Sequence, residues 1–191
     1  METIRTFIAI ELDEAMRRQM AEAQETLRRG GSMPVRWVRP DGAHITLKFL
    51  GSIEAEMVPR VAAAVAQAAE AARPFIMGFG PVGGFPSLRD ARVIWYGLTG
   101  DIEALRSLRD DVERLVSPLG FPTEARPFKP HLTLARLQDG AKAVDLRASG
   151  AGTDALRESL SQKITEVVLF RSDLSRHGPV YTPISRFSLK G

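Results

Sequence analysis

Two of the three histidines in this chain open the same four-residue pattern, His44-Ile45-Thr46-Leu47 and His131-Leu132-Thr133-Leu134. Along a β-strand, residues two apart share one face and their neighbours take the other. Read as strands, each copy sets an imidazole beside a hydroxyl, with the leucines and isoleucine between them turned toward a core. A neutral imidazole accepts a proton at one nitrogen, and an imidazolium donates one. The ordinary pKa of ~6.5 lets one ring of a pair be charged and the other neutral near pH 7 at little cost. On opposite sides of a substrate, two such rings make a general acid and a general base. A phosphorus centre suits them: in-line displacement puts the attacking and leaving oxygens on opposite sides. The two threonine hydroxyls then hold the equatorial oxygens between.

One His-x-Thr at the start of a strand is an ordinary structural or solvent-facing feature. Duplication gives the pattern its weight, because copies lying just under half the chain apart imply two similar lobes facing across a cleft. The third histidine, His177, sits in a Gly-Pro turn with no matching threonine and reads as surface decoration. Under regular alternation Lys48 shares the face of His44 and Thr46, where it meets phosphate or solvent. Arg136 follows His131 by five residues, so strict alternation puts it on the far face, and a functional role there needs a bulge or a strand end. Trp37, Trp95, Phe85 and Tyr181 read as core or cleft-lining aromatics, of a type that stacks nucleobases.

No metal or cofactor is expected. Neither motif carries a carboxylate and the chain has no cysteine, so no ligand cluster of the usual kind is visible. Gly80 to Gly84 matches no phosphate-cradle spacing and reads as a surface loop.

The elements that must position the histidines alternate along the chain. Arg5 to Leu12 reads as a buried strand. Asp13 caps a helix over Glu14 to Arg29, which Gly30-Gly31 ends. Val35 to Val38 reads as a strand and Arg39 to Gly42 as a turn, before the first motif strand from His44 to Leu50. A helix from about Glu56 to Ala72 accepts Pro59 in its first turn. Strands at Phe75–Phe79 and Val93–Leu98 come next. Then Asp101 caps a helix from Ile102 to Val116, and the second motif strand runs from His131 to Arg136. A helix over Asp145 to Leu160 is interrupted by Ser149-Gly150-Ala151-Gly152, and strands at Lys163–Asp173 and Tyr181–Leu189 close the chain. Hairpin-like pairs argue against a purely parallel sheet, so the expected class is α+β, with mixed or antiparallel sheets in two lobes. No linker separates independent units, and residues 1–191 are read as one bilobal domain.

Composition fits an ordinary globular protein: 44% hydrophobic and 26% charged residues in a 191-residue chain. No apolar run approaches the roughly 20 residues a membrane span needs. Without cysteine or a signal-like N-terminus, a cytoplasmic protein is expected, with no membrane partner. A net charge of +3 suits an anionic substrate without forming a dense nucleic-acid patch.

Further matches extend the paired motifs over nearly the whole chain. These are Arg5-Thr6-Phe7-Ile8-Ala9, Trp37-Val38, the run His44 to Gly51, Phe85-Pro86, Val93-Ile94-Trp95, the run Lys129 to Arg136, and Gly178-Pro179-Val180-Tyr181. In this the chain resembles the bacterial and archaeal RNA 2′,3′-cyclic phosphodiesterases, also called 2′-5′ RNA ligases, of the two-histidine (2H) phosphoesterase superfamily. The resemblance implies a pseudo-twofold fold with the four motif residues in a central cleft. It also implies metal-independent opening of a terminal 2′,3′-cyclic phosphate to a 2′-phosphomonoester. His44 would be the proton donor to the leaving 3′ oxygen and His131 the proton acceptor. Thr46 and Thr133 would hold phosphate oxygens, and Arg136 would contact the substrate. The implied partners are RNA ends bearing the cyclic phosphate (tRNA halves, oligonucleotides) or nucleotide analogues, met by a monomer, with 2′-5′ joining as the reverse reaction. The alternative is a non-catalytic module that binds nucleotides or RNA ends in the same cleft.

Overall fold

β1, Thr3–Glu11, is buried along both of its faces. Ile8 and Ile10 point into the main hydrophobic core, whereas Phe7 and Ala9 join Val168 and Phe170 in a smaller cluster on the opposite side. A strand covered on both faces reads as a continuous apolar run, which is what Phe7-Ile8-Ala9-Ile10 presents. The structure is a computed structural model and describes residues 2–147, 160–175 and 178–191. The elements after β1 are α1 (Glu14–Arg29), β2 (Val35–Trp37), β3 (His44–Glu54), α2 (Val58–Ala71), β4 (Phe75–Phe85), β5 (Val93–Gly100) and α3 (Ile102–Val116). They are followed by β6 (His131–Leu137), β7 (Ser161–Ile164), β8 (Glu166–Ser175) and β9 (Gly178–Ser188).

Two sheets result, ordered β3-β1-β8-β9 and β2-β6-β5-β4-β7, and every strand pairing in them is antiparallel. The expected α+β class holds, with its sheets antiparallel and one motif strand in each. The main core runs without interruption from one sheet to the other.

The helices cover the sheets by ordinary rules. The Asp13 carboxylate accepts the Met16 N–H at 2.8 Å to start α1, which buries Met16, Met20, Ala23 and Leu27. α2 carries Pro59 in its first turn and buries Val61, Ala64, Val65, Ala68 and Ala69. α3 buries Leu105, Leu108, Val112 and Val116. Asp101 precedes α3 as expected, but its side chain does not cap the helix and instead accepts the Ile76 N–H at 2.9 Å.

Two other expectations change. Gly80 to Phe85 is no surface loop but the second half of β4, paired with β5. Glycine serves there because the Trp95 ring lies across the strand: a Cβ on Gly83 would come within 2.2 Å of it. The run Lys163 to Asp173 divides at Thr165, giving β7 to one sheet and β8 to the other. Most of the helix expected over Asp145 to Leu160, its Ser149–Gly152 interruption and His177 lie outside the described residues.

Candidate active site

His44 and His131 are each the first residue of their strand, β3 and β6, and both rings are held alike. The Nδ1 of His44 lies 2.8 Å from the Gly42 carbonyl, and that of His131 lies 2.7 Å from the Lys129 carbonyl. A carbonyl only accepts, so in each ring Nδ1 carries the proton and Nε2 is left to give or take one. The backbone two residues before each histidine thus sets both tautomer and ring direction.

Aromatic rings frame each imidazole. Phe7 lies 4.6 Å from the His44 ring, centroid to centroid, and Tyr181 meets it edge-on at 4.9 Å. Phe85 meets His131 edge-on at 5.0 Å, with Trp95 behind it at 6.3 Å. Burial among these rings disfavours the charged imidazolium and lowers both pKa values below 6.5. The carbonyl hydrogen bonds oppose that shift, while the positive charge of Arg136 adds to it at both rings. At His44 the Glu11 carboxylate also opposes it. The Tyr181 pKa is raised by burial, with Arg136 and Arg5 acting against the rise.

Arg136 reaches this site by a bulge. In β6, Trp95 faces Thr133 but Ile94 faces Ala135, so Leu134 is an extra residue in the ladder. Leu132, Leu134 and Ala135 are buried, and Arg136 emerges exposed on the side of His131 and Thr133. The Leu134 carbonyl accepts both the Val38 N–H at 2.9 Å and the Gln24 side-chain amide at 3.0 Å, which pins the irregularity to α1 and to the end of β2.

β3 repeats the device. Ala9 faces Thr46 and Ile8 faces Lys48, so Leu47 is the extra residue. Here it corrects the expectation for Lys48. The bulge turns that side chain inward, where Nζ donates to Glu113 Oε2 at 2.8 Å and to the Pro122 carbonyl at 2.6 Å. Lys48 is only 7% exposed and is held by these partners rather than free to meet phosphate. The residue that emerges five after His44, in the place that Arg136 takes after His131, is Phe49.

Although they belong to different sheets, β3 and β6 approach Cα to Cα within 8 Å, and Thr46 and His131 line one cavity of about 620 Å³. His44 borders a smaller pocket of about 220 Å³ with Tyr181, Phe170 and Arg39. Among the described residues, no group of three or more His, Asp and Glu side chains is placed to hold a metal ion. Two imidazoles with Nδ1 committed to a carbonyl, each with a threonine two residues on and both within reach of the Arg136 charge, are equipped for proton transfer.

The family description "LigT like Phosphoesterase" matches residues 10–95 and 98–181, one segment for each motif. The chain belongs to the LigT-like phosphoesterases. It is 32% identical over 97% of its length to the RNA 2′,3′-cyclic phosphodiesterase of Methanothermobacter thermautotrophicus, 99% of which is covered. Its identity to the protein of that name from Thermus thermophilus is 34%, over 98% of this chain and 91% of that one. Among solved structures it superposes on Escherichia coli LigT complexed with 3′-AMP at a TM-score of 0.79, with 26% identity and full coverage of both chains. As in that family, the fold is α+β and duplicated about the cleft.

Sequence reasoning identified the paired motifs but missed Glu113 and Arg109. Their only signal was a pair of charges four residues apart at the margin of the apolar stripe of α3. It also missed Gln24, whose clamp on Leu134 leaves no trace in sequence.

Proposed function

We propose that this LigT-like phosphoesterase hydrolyses the terminal 2′,3′-cyclic phosphate of RNA to a 2′-phosphomonoester, without a metal or cofactor, as a cytoplasmic monomer. The observation that carries the reading is the matched state of His44 and His131: each Nδ1 is held against a backbone carbonyl, which leaves Nε2 as the atom that exchanges a proton. His131 takes the proton of the attacking water. His44, protonated at the start, gives its proton to the departing 3′ oxygen. The P–O3′ bond breaks, the 2′ ester remains, and the two histidines have exchanged protonation states. Thr46 and Thr133 hold the equatorial oxygens, and the Arg136 guanidinium offsets the charge growing on them. The names of the curated relatives support the substrate class, and the 3′-AMP held by Escherichia coli LigT supports a nucleotide in the cleft.

The test is an oligonucleotide ending in a 2′,3′-cyclic phosphate, incubated with the protein in excess EDTA, with the product identified. A 2′-phosphate end formed at an undiminished rate is expected. A 3′-phosphate end would reverse the roles of the two ester oxygens. Binding of the cyclic end with no turnover would instead favour the non-catalytic module.

A further inference from the structure

The edge strand β2 has three residues, and its middle one is a cation set directly across from another cation. In the ladder Val35 faces Leu137, Arg36 faces Arg136 and Trp37 faces Ala135. Val35 enters the main core, and Trp37 packs against that core with the Arg28 guanidinium of α1 4.8 Å over its ring. By alternation Arg36 turns to the other face, the one that carries Arg136, Thr133 and His131. Like charges directly opposite one another in a sheet repel. Nothing offsets the repulsion here: among the described residues neither guanidinium has an ion-pair or hydrogen-bond partner.

The register that sets the two charges together is fixed at both ends of β2. At one end the Val38 N–H donates to the Leu134 carbonyl at 2.9 Å. The buried Gln24 amide spans the two strands there, donating to the Val38 carbonyl at 2.8 Å and to the Leu134 carbonyl at 3.0 Å. At the other end the Gln138 N–H donates to the Pro34 carbonyl at 2.9 Å. β2 therefore cannot slide along β6 to part the charges. Past Arg136 a cavity of about 480 Å³ opens, lined by Arg92, Arg136 and Gln138 together with Asp139. Two exposed guanidiniums held one strand spacing apart, about 4.8 Å, suit two successive phosphates, since each planar fork matches phosphate oxygens.

We propose that Arg36 holds the phosphodiester on the 5′ side of the substrate's terminal nucleotide, while Arg136 serves the reacting cyclic phosphate. The inference rests on the functional reading above and adds to it a subsite that only a chain of two or more nucleotides can fill. The site thereby prefers an RNA end to a free nucleoside 2′,3′-cyclic phosphate, and Arg36 carries that preference.

The experiment compares the parent with Arg36→Gln on two substrates, a nucleoside 2′,3′-cyclic phosphate and a dinucleotide ending in the same cyclic phosphate, over a range of salt concentrations. In the variant, kcat/KM for the dinucleotide should fall about tenfold, as loss of one exposed charge-assisted contact gives. The log–log salt dependence of its KM should become shallower by about 0.7, the share of one single-strand phosphate. The free cyclic nucleotide should change less than twofold. An equal loss on both substrates would overturn the inference by assigning Arg36 to the reacting phosphate. An unchanged dinucleotide would overturn it too, as would a parent that opens the dinucleotide no better than the nucleotide. A parent that opens neither would instead bring down the functional reading itself.

Discussion

Lys48 Nζ lies 2.8 Å from Glu113 Oε2, in an ion pair whose side chains are 7% and 5% exposed. Lys48 comes from the strand of the first histidine, and Glu113 from the helix that precedes the second. Glu113 also accepts from Arg109 at 3.0 Å, while Lys48 holds the Pro122 carbonyl at the start of the segment leading to His131. The pair therefore ties the strand that begins at His44 to the helix and segment that lead to His131.

Breaking it should be costly. Lys48→Met leaves a buried carboxylate with fewer donors, and unfolding in urea should show a loss of about 3–5 kcal/mol. Adding Glu113→Leu should recover part of that loss, because the stranded charge goes with it. A double variant as unstable as the sum of the singles would mean that the two residues act independently.

On the proposed mechanism, replacing either histidine removes one proton-transfer partner. His44→Ala and His131→Ala are each expected to lower kcat on the order of 10²–10⁴-fold, with nucleotide binding by titration largely retained. Combined, they should cost little more than the worse single change, because one half of an acid–base pair is of no use alone.

On the same mechanism, Thr46→Val and Thr133→Val keep the shape and remove one hydrogen bond to an anionic oxygen. Each should cost ~1.5–3 kcal/mol of transition-state stabilisation, or roughly 10–100-fold in kcat/KM. A loss as large as that from a histidine variant would assign the hydroxyl a part in proton transfer.

The pH dependence follows from the direction of the shifts. The proposed mechanism needs one imidazole charged and one neutral, and burial lowers both pKa values below 6.5. The bell in kcat/KM should therefore peak below pH 6.5 and fall through neutrality as the single proton is lost. Arg136 lowers both values, so Arg136→Gln should move both limbs to higher pH while reducing the maximum. A profile flat from pH 5 to 9, with chemistry rate-limiting, would rule out the two-histidine mechanism.

Much of the site is legible in the sequence because period two and a repeated motif are local signals. His44, Thr46, His131 and Thr133 follow from them directly, as do α1 and α3. The faces of Lys48 and Arg136 do not follow. Each bulge adds one residue to the ladder and reverses alternation beyond it, and the partner residues that set it lie far away in sequence. Gly80 to Phe85 misleads for a similar reason. Its glycines suggest a turn, whereas they make room for Trp95, a residue on the neighbouring strand. The break at Thr165 is hidden as well, since a buried strand looks the same whichever sheet receives it.

That break joins the two sheets. One residue, Thr165, separates a strand of one sheet from a strand of the other, and its carbonyl accepts the Leu189 N–H at 2.8 Å. Beside it, Gln162 of β7 clasps the end of β1: its amide donates to the Glu11 carbonyl at 2.9 Å and accepts the Asp13 N–H at 2.9 Å. So short a tether, bonded on both sides, works as a staple that holds the two sheets edge to edge at this end of the molecule.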